Sequence, residues 1–182
     1  LRSLPYSPGH ARVFTDIYDG DKPWSHCPRA FLRSVIAKTA KLGFKFQAAF
    51  ENEFYLLSTI DDDIHPVDQS LFGQTYALDK SGPVISEIVR ALEDQQIYPE
   101  MLYAESGNGQ FEIPVHYTNT LLAADQQIAF KETVRGVVQK HDHLIASFVP
   151  KLFEDKAGSG AHLHLSIWEN GKNITADQKN NK

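Results

Sequence analysis

Six side chains in this sequence carry donors suited to a cation, and they fall into three pairs. Glu51 and Glu53 lie in FENEFYLL, residues 50–57, an aromatic and aliphatic run that reads as a strand. Strand side chains alternate between faces, so the two carboxylates share one. Like charges repel, and charge inside an apolar run is costly to desolvate; a bound cation relieves both problems. The solvated face of an edge strand would show the same alternation with no ligand. Glu105 and Glu112 flank the turn-rich SGNG of residues 106–109. If the flanking strands pair so that Glu105 stands opposite Glu112, two like charges meet on one face, a destabilising arrangement that again asks for a cation. An exposed hairpin with two ordinary surface acids is the alternative. Gly107 and Gly109 would allow a sharp turn or a close approach of the backbone. His162 and His164 alternate with Leu163 and Leu165 in AHLHLSIW. Imidazoles ligate transition metals and can donate to phosphate, although a polar strand face without a ligand reads the same way. Taken together, the three pairs describe a carboxylate-rich funnel. Its oxygens favour Mg2+ or Mn2+ over Zn2+, with histidine compatible with Mn2+, and two such ions suit phosphoryl transfer.

The elements that must position these pairs are mixed α and β. Residues 11–18 have strand propensity, followed by a turn at DGDKP. Pro28 opens a helix whose apolar face is Leu32, Val35, Ile36 and Thr39, and Gly43 ends it. Residues 44–58 read as a full central strand. The acidic run Asp61, Asp62 and Asp63 reads as a surface loop. Residues 81–83 start a second helix, with a stripe of Ile85, Ile88, Val89 and Leu92. Two short strands surround residues 106–109. A long helix is expected over residues 120–140, with Ala123, Phe130, Val134 and Val137 on one face. Residues 146–153 and 161–168 read as strands, and Asn170 and Gly171 supply a tight hairpin turn. His141 and His143, two apart at a helix end, do not share a face and read as a solvated terminus. Cys27 reads as a bystander next to a helix start, and His26, His65 and His116 have no evident partner.

The chain has 182 residues, 42% of them hydrophobic, and a net charge of −5. That is enough for one domain and part of another, and it argues against a nucleic-acid surface. A single cysteine precludes an internal disulfide and suggests a reducing cytoplasm. No long apolar span or signal-peptide pattern stands out, so no membrane partner is expected. The abrupt start in LRSLPYSPG and the polar end in TADQKNNK suggest an excerpt of a longer protein.

Four segments, LRSLPYSPGHARVFTDIYD with CPRAFLRS, FENEFYLL, ESGNGQFEIPV and GSGAHLHLSIW, occur in the order and spacing of the glutamine synthetase family. The chain resembles that family over essentially its whole length. The resemblance implies an α+β fold in which a curved antiparallel sheet is backed by helices. It also implies two domain portions: residues 1–27 as the end of an N-terminal β-grasp domain, and residues 28–182 as the first part of the catalytic domain. By the same resemblance, Glu53, Glu105 and Glu112 look like ligands of the ion that organises the glutamate and ammonia side. Glu51 and His162 look like ligands of the ion that holds the ATP phosphates. His164 and Ser166 resemble nucleotide contacts, Glu100 falls where a further nucleotide-side carboxylate stands, and Gly158 resembles the backbone that receives the amino acid.

The implied activity is an ATP-dependent ligase with Mg2+ or Mn2+. It phosphorylates the γ-carboxylate of glutamate and lets ammonia or an amine attack γ-glutamyl phosphate, in a ring-type homo-oligomer with active sites between subunits. One departure concerns the acceptor. Many members have asparagine immediately before GSG, where this chain has Ala157. AGSG resembles relatives that join glutamate to polyamines or other amines. The acidic loop that helps deprotonate ammonium, and the family's later arginines and flap glutamate, have no counterpart in these residues, so the chain alone is expected to be inactive. A non-catalytic homologue and a metal-dependent hydrolase are the readings from other classes. The first is disfavoured by the intact ligand set and the second by the order of the motifs.

Overall fold

The computed structural model describes residues 1–60 and 63–175. The acidic run therefore falls largely outside the described residues; Asp63, which is within them, is exposed. Residues 1–27 form two small ladders. β1 (Arg2–Ser3) pairs with β2 (Ala11–Arg12), and β3 (Tyr18–Asp19) pairs with β4 (Lys22–Pro23). The strand expected over residues 11–18 is thus reduced to a fragment at each end. Among the described residues, no helix is long and apolar enough to cross a membrane.

Helix α1 (Pro28–Lys41) starts where the sequence places it, with proline in its first turn. Cys27 is no bystander: its Sγ caps the helix by accepting from the Ala30 amide at 3.5 Å. Its thiol sits below the ordinary cysteine value because backbone amides, that of Ile17 first and then Ala30, hydrogen-bond to the sulfur. Gly43 adopts φ +88° just beyond the helix and lets the chain reverse. None of the α1 side chains is fully buried: of the expected apolar face, Leu32, Ile36 and Thr39 are half-buried and Val35 is exposed.

β5 (Phe44–Ser58) has the bounds read from the sequence and is the spine of the molecule. Along one edge it pairs with β11 (Ala161–Glu169) and then β10 (Leu144–Ser147). Along the other it pairs with β9 (Thr118–Asn119), β8 (Gln110–Pro114) and β6 (His65–Pro66). β7 (Tyr103–Ala104) extends the sheet beyond β8, and β12 (Lys172–Asn173) extends it beyond β11, which completes eight strands with every pairing antiparallel. The Asn170 and Gly171 turn has φ of 50° and 77°, the conformation a two-residue hairpin turn demands. The strand expected over residues 146–153 instead covers Leu144–Ser147. Pro150, which cannot donate to a ladder, lies in the irregular stretch that follows.

The helices cover one face of this sheet. α2 (Thr75–Lys80), which the sequence reading missed, leads into α3 (Gly82–Glu93), and α4 (Thr120–Val138) is capped by Asn119, whose side chain accepts from the Leu122 amide at 3.0 Å. Ile85, Ile88 and Leu92 of α3 and Phe130, Val134 and Val137 of α4 meet Phe54 and Leu56 of β5 and Phe111 and Ile113 of β8 in one core. By alternation, the opposite face carries Glu51, Glu53 and Glu112. The sheet is therefore apolar towards the helices and acidic away from them. Truncating Ile88, fully buried in the α3 stripe, to alanine is expected to cost about 2–5 kcal/mol. Chemical denaturation reads this directly, and a wild-type midpoint would contradict the packing.

Candidate metal centre

Backbone register assembles the acidic face before any side chain is considered. Glu53 stands directly across from Glu112 on β8, and Glu51 stands directly across from His162 on β11. The first pair sets two like charges in neighbouring positions on a central strand pair, an unfavourable contact in the absence of a counter-charge. β5 is thus not an edge strand, and the solvated-edge alternative for Glu51 and Glu53 does not hold. Nor is the Glu112 strand an exposed hairpin: β8 lies between β5 and β7, and Glu112 is only 7% exposed. The pairing of Glu105 with Glu112 considered from the sequence is also not the one found. Glu112 faces Tyr103, while the Glu105 amide donates to the Gln110 carbonyl at 2.8 Å. Strand alternation still puts Glu105 on the Glu112 face, one position further along.

Glu51, Glu112 and His162 bring donor atoms within 4.8 Å of one another, a spacing that a single cation could bridge. These three straddle the two ligand sets that the family resemblance implies. His162 Nδ1 lies 3.2 Å from Glu51 Oε2, and His164 Nε2 lies 2.9 Å from Glu51 Oε1. Burial pushes the Glu51 carboxyl up, but hydrogen bonds and charge from His164 and His162 outweigh it and hold the group below the usual carboxylate value. Glu112 goes the other way. Burial, followed by the charges of Glu51, Glu105 and Glu53, pushes its carboxyl up to about 6, with His162 a partial offset. A carboxylate crowded by three others, beside an imidazole, is a donor set that suits a hard divalent ion such as Mg2+ or Mn2+.

The remaining candidates have distinct surroundings. Glu53 Oε2 accepts from Gln110 Nε2 at 2.9 Å and from the Gly160 amide at 3.1 Å. Glu105 is half-buried, and its Oε2 accepts from the Ser106 amide at 3.0 Å. Glu100, His164 and Ser166 line one cleft together with Glu51, Tyr117 and Trp168. Ser166 Oγ accepts from Trp168 Nε1 at 2.9 Å, and Glu100 lies 3.7 Å from His116, whose ring stacks on Tyr117. Gly158 lies in the loop over the far end of the acidic face, and its carbonyl accepts from Gln110 Nε2 at 2.9 Å. Gly107 is required by close approach, since a Cβ there would sit 2.0 Å from the Tyr55 hydroxyl. Gly109 is required by its φ of +69°.

The sequence reading assigned no role to Gln110, Tyr55, Tyr117 or Trp168. Gln110 and Tyr55 were nonetheless signalled: each lies two residues from a candidate ligand, on the same strand and therefore on the same face. Nothing in residue spacing pointed to Tyr117, which reaches the cleft from between β8 and β9.

The comparisons with known proteins agree with this architecture. Residues 25–182 match the model of the glutamine synthetase catalytic domain. Type-1 glutamine synthetase 1 of Dictyostelium discoideum is 36% identical over 97% of this chain and 39% of its own length. Glutamine synthetase of Pyrococcus abyssi is also 36% identical, over 90% of this chain and 37% of its own. Among solved structures, apo GmaS without ligand superposes with a TM-score of 0.80 at 33% identity, covering 87% of this chain and 38% of that one; the GmaS/ADP complex gives 0.79. The chain belongs to the glutamine synthetase family. It spans less than two fifths of the length of these relatives.

The elevated Glu112 value has a measurable sign. Because the folded protein raises this carboxyl from 4.5 to about 6, the metal-free fold favours its protonated form. The resulting penalty is absent below about pH 4.5, grows as pH rises, and is complete above about pH 6. Glu112→Gln is therefore expected to stabilise the metal-free protein by about 1–2 kcal/mol at pH 7.5 and not at pH 4.5. Thermal unfolding at the two pH values reads the difference. Adding Mn2+ should stabilise the parent protein more than the variant.

Proposed function

We propose that this chain is the first part of the catalytic domain of a glutamine synthetase-type ligase, which uses ATP to form a γ-glutamyl amide from glutamate and ammonia by way of γ-glutamyl phosphate. The observation that carries the proposal is the convergence of Glu51, Glu112 and His162 donor atoms on one face of the β5, β8 and β11 sheet, beside the cleft that holds Glu100, His164 and Ser166. The roles taken over from the family are Glu53, Glu105 and Glu112 for the ion on the amino-acid side, and Glu51 and His162 for the ion on the phosphate side. Divalent ions bound there would neutralise charge on the transferred phosphoryl group.

The chain's own residues do the positioning. Glu51 is held ionised by His162 and His164 and so presents a fixed negative charge beside the cleft. Ser166 is oriented by the Trp168 indole N–H, and the flat rings of Tyr117 and Trp168 at 6.4 Å offer faces on which a nucleobase can stack. That the similar GmaS forms a complex with ADP supports nucleotide binding as part of this reading. The loop with Gly158 offers backbone groups to the α-amino acid. Orienting both substrates turns two encounters into one bound arrangement, which together with charge neutralisation speeds a phosphoryl transfer.

A second reading, a γ-glutamyl polyamine or amine ligase, is favoured by Ala157 at the position where many relatives carry asparagine. A non-catalytic homologue is the reading from outside the enzymes. The division at residue 27, a cytoplasmic location and a ring-type homo-oligomer belong to the proposal as well.

In the whole protein, Glu53→Ala is expected to lower amide formation by at least a hundredfold while leaving the circular dichroism spectrum unchanged; near-normal activity would remove Glu53 from the metal assignment. A screen of ammonia, methylamine and polyamines with ATP and glutamate separates the acceptors. Turnover of ammonia alone counts against the weight placed on Ala157. Absence of phosphate release with every acceptor supports the non-catalytic reading.

A further inference from the structure

Gln110 makes more specific contacts around the site than its place between two motif positions suggests. It is 1% exposed, at the first position of β8, directly across from Tyr55. A primary amide has two N–H donors and one carbonyl acceptor. Here both donors are used in different directions: Nε2 donates to Glu53 Oε2 at 2.9 Å and to the Gly158 carbonyl at 2.9 Å. Oε1 accepts from the Gly107 amide at 2.9 Å. The surrounding groups fix the amide orientation, because two acceptors face the nitrogen and one donor faces the oxygen.

The three partners belong to three separate parts of the site. Glu53 is a candidate cation ligand, Gly158 is in the loop of residues 157–160, and Gly107 is in the turn between β7 and β8. Tyr55 adds a parallel contact, since its hydroxyl donates to the Ala157 carbonyl at 2.7 Å. Two successive carbonyls of the loop are therefore held by donors standing side by side on the sheet. Glu53 closes the circuit from the other side: its carboxylate accepts from the Gly160 amide at 3.1 Å, and its own amide donates to the Gly160 carbonyl at 3.2 Å. Among the described residues, Gln110 is the one that touches both the Glu53 carboxylate and a carbonyl of the loop by side-chain hydrogen bonds, so a change in the position of that carboxylate reaches Gly158 through this amide as well as Gly160 by direct contact.

We propose that Gln110 is a positioning residue that couples a cation at Glu53 to the geometry of the 157–160 loop, so that filling the carboxylate site orders the backbone which receives the amino acid. The link from carboxylate to loop rests on the hydrogen bonds of Gln110. The consequence for the amino acid rests on the function proposed above. Chemistry selects glutamine for this task. Glutamate would lose both donations and set a charge beside Glu53, methionine would keep the length without the donors, and asparagine is one methylene short.

The test uses the whole protein and the cation alone, before any turnover is measured. Hydrogen exchange of the 157–159 amides is followed with and without Mn2+, the Gly160 amide being left out because it donates to Glu53 directly. In the parent protein Mn2+ should slow exchange there by tenfold or more. In Gln110→Met and Gln110→Glu the Mn2+ effect should fall below twofold. Tyr55→Phe, which removes only the second loop contact, should speed exchange in the absence of Mn2+ but keep the Mn2+ effect. Steady-state kinetics supply the second readout: in the Gln110 variants KM for glutamate should rise at least tenfold, while KM for ATP stays within twofold. A Mn2+ effect that survives in both Gln110 variants overturns the coupling. So does its loss in Tyr55→Phe, which would make the loop generally loose. So does a parallel rise in both KM values or a fall in thermal midpoint that accounts for the exchange. If the parent turns over no acceptor, the functional reading fails, while the exchange experiment still decides the role of Gln110.

Discussion

The electrostatic tension on the acidic face of β5 is what the rest of this structure accommodates. Register sets Glu53 against Glu112 and Glu51 against His162, so these side chains start from neighbouring backbone positions on one face. The molecule offsets the repulsion in three ways. Two imidazoles hold Glu51 ionised, an amide and a backbone N–H take one oxygen of Glu53, and Glu112 is driven towards its neutral form. Identical residue types thus acquire different chemistry from their neighbours. A partly buried cluster of carboxylates that must share charge in this way is common where a protein is built to hold cations or transfer protons.

A central strand can carry such a cluster because its other face is secured by apolar contact. Phe54 and Leu56 alternate with Glu53 and Tyr55 and sink into the layer formed by α3 and α4. Each residue of β5 in this region therefore serves one side only, stability below and chemistry above. Asn52 is the exception on the helix side: it is 1% exposed and accepts from Gln127 of α4 at 2.6 Å. That polar contact registers the long helix against the strand at the level of the site.

The parts that were legible in the sequence are those governed by local rules. β5 was readable to its ends because alternation and apolar content agree over 15 residues. The start of α1 followed from Pro28, and the last hairpin from Asn170 and Gly171. What was not legible depends on partners far along the chain. Which glutamate faces which is a matter of register, and residues 106–109 set it one step away from the symmetrical pairing. The strand near residue 146 moved upstream because β5 offered free edge positions at residues 55–58. α2 was hidden because six residues carry too little periodicity to announce a helix. The three candidate pairs were visible as residue types. The link between them, Gln110, was visible only by its place two residues before Glu112 on one strand face, since an amide's three partners leave no periodicity to detect.

The distance along the chain between the halves of the site also has a kinetic meaning. Glu51 and His162 are 111 residues apart, and β11 can seat itself only against a β5 that already exists. Contacts of such long range carry the largest loop-closure cost and tend to form late. The repulsive carboxylates are then brought together only after the apolar face has been secured by α3 and α4, and the chain does not meet its worst electrostatic conflict while it is still searching. A cation arriving at that last stage would act mainly on the rate of unfolding and little on the rate of folding, since it stabilises contacts that the folding transition state does not yet contain. Divalent ion in the medium would thereby set how long this protein lasts, separately from the catalytic role proposed for it.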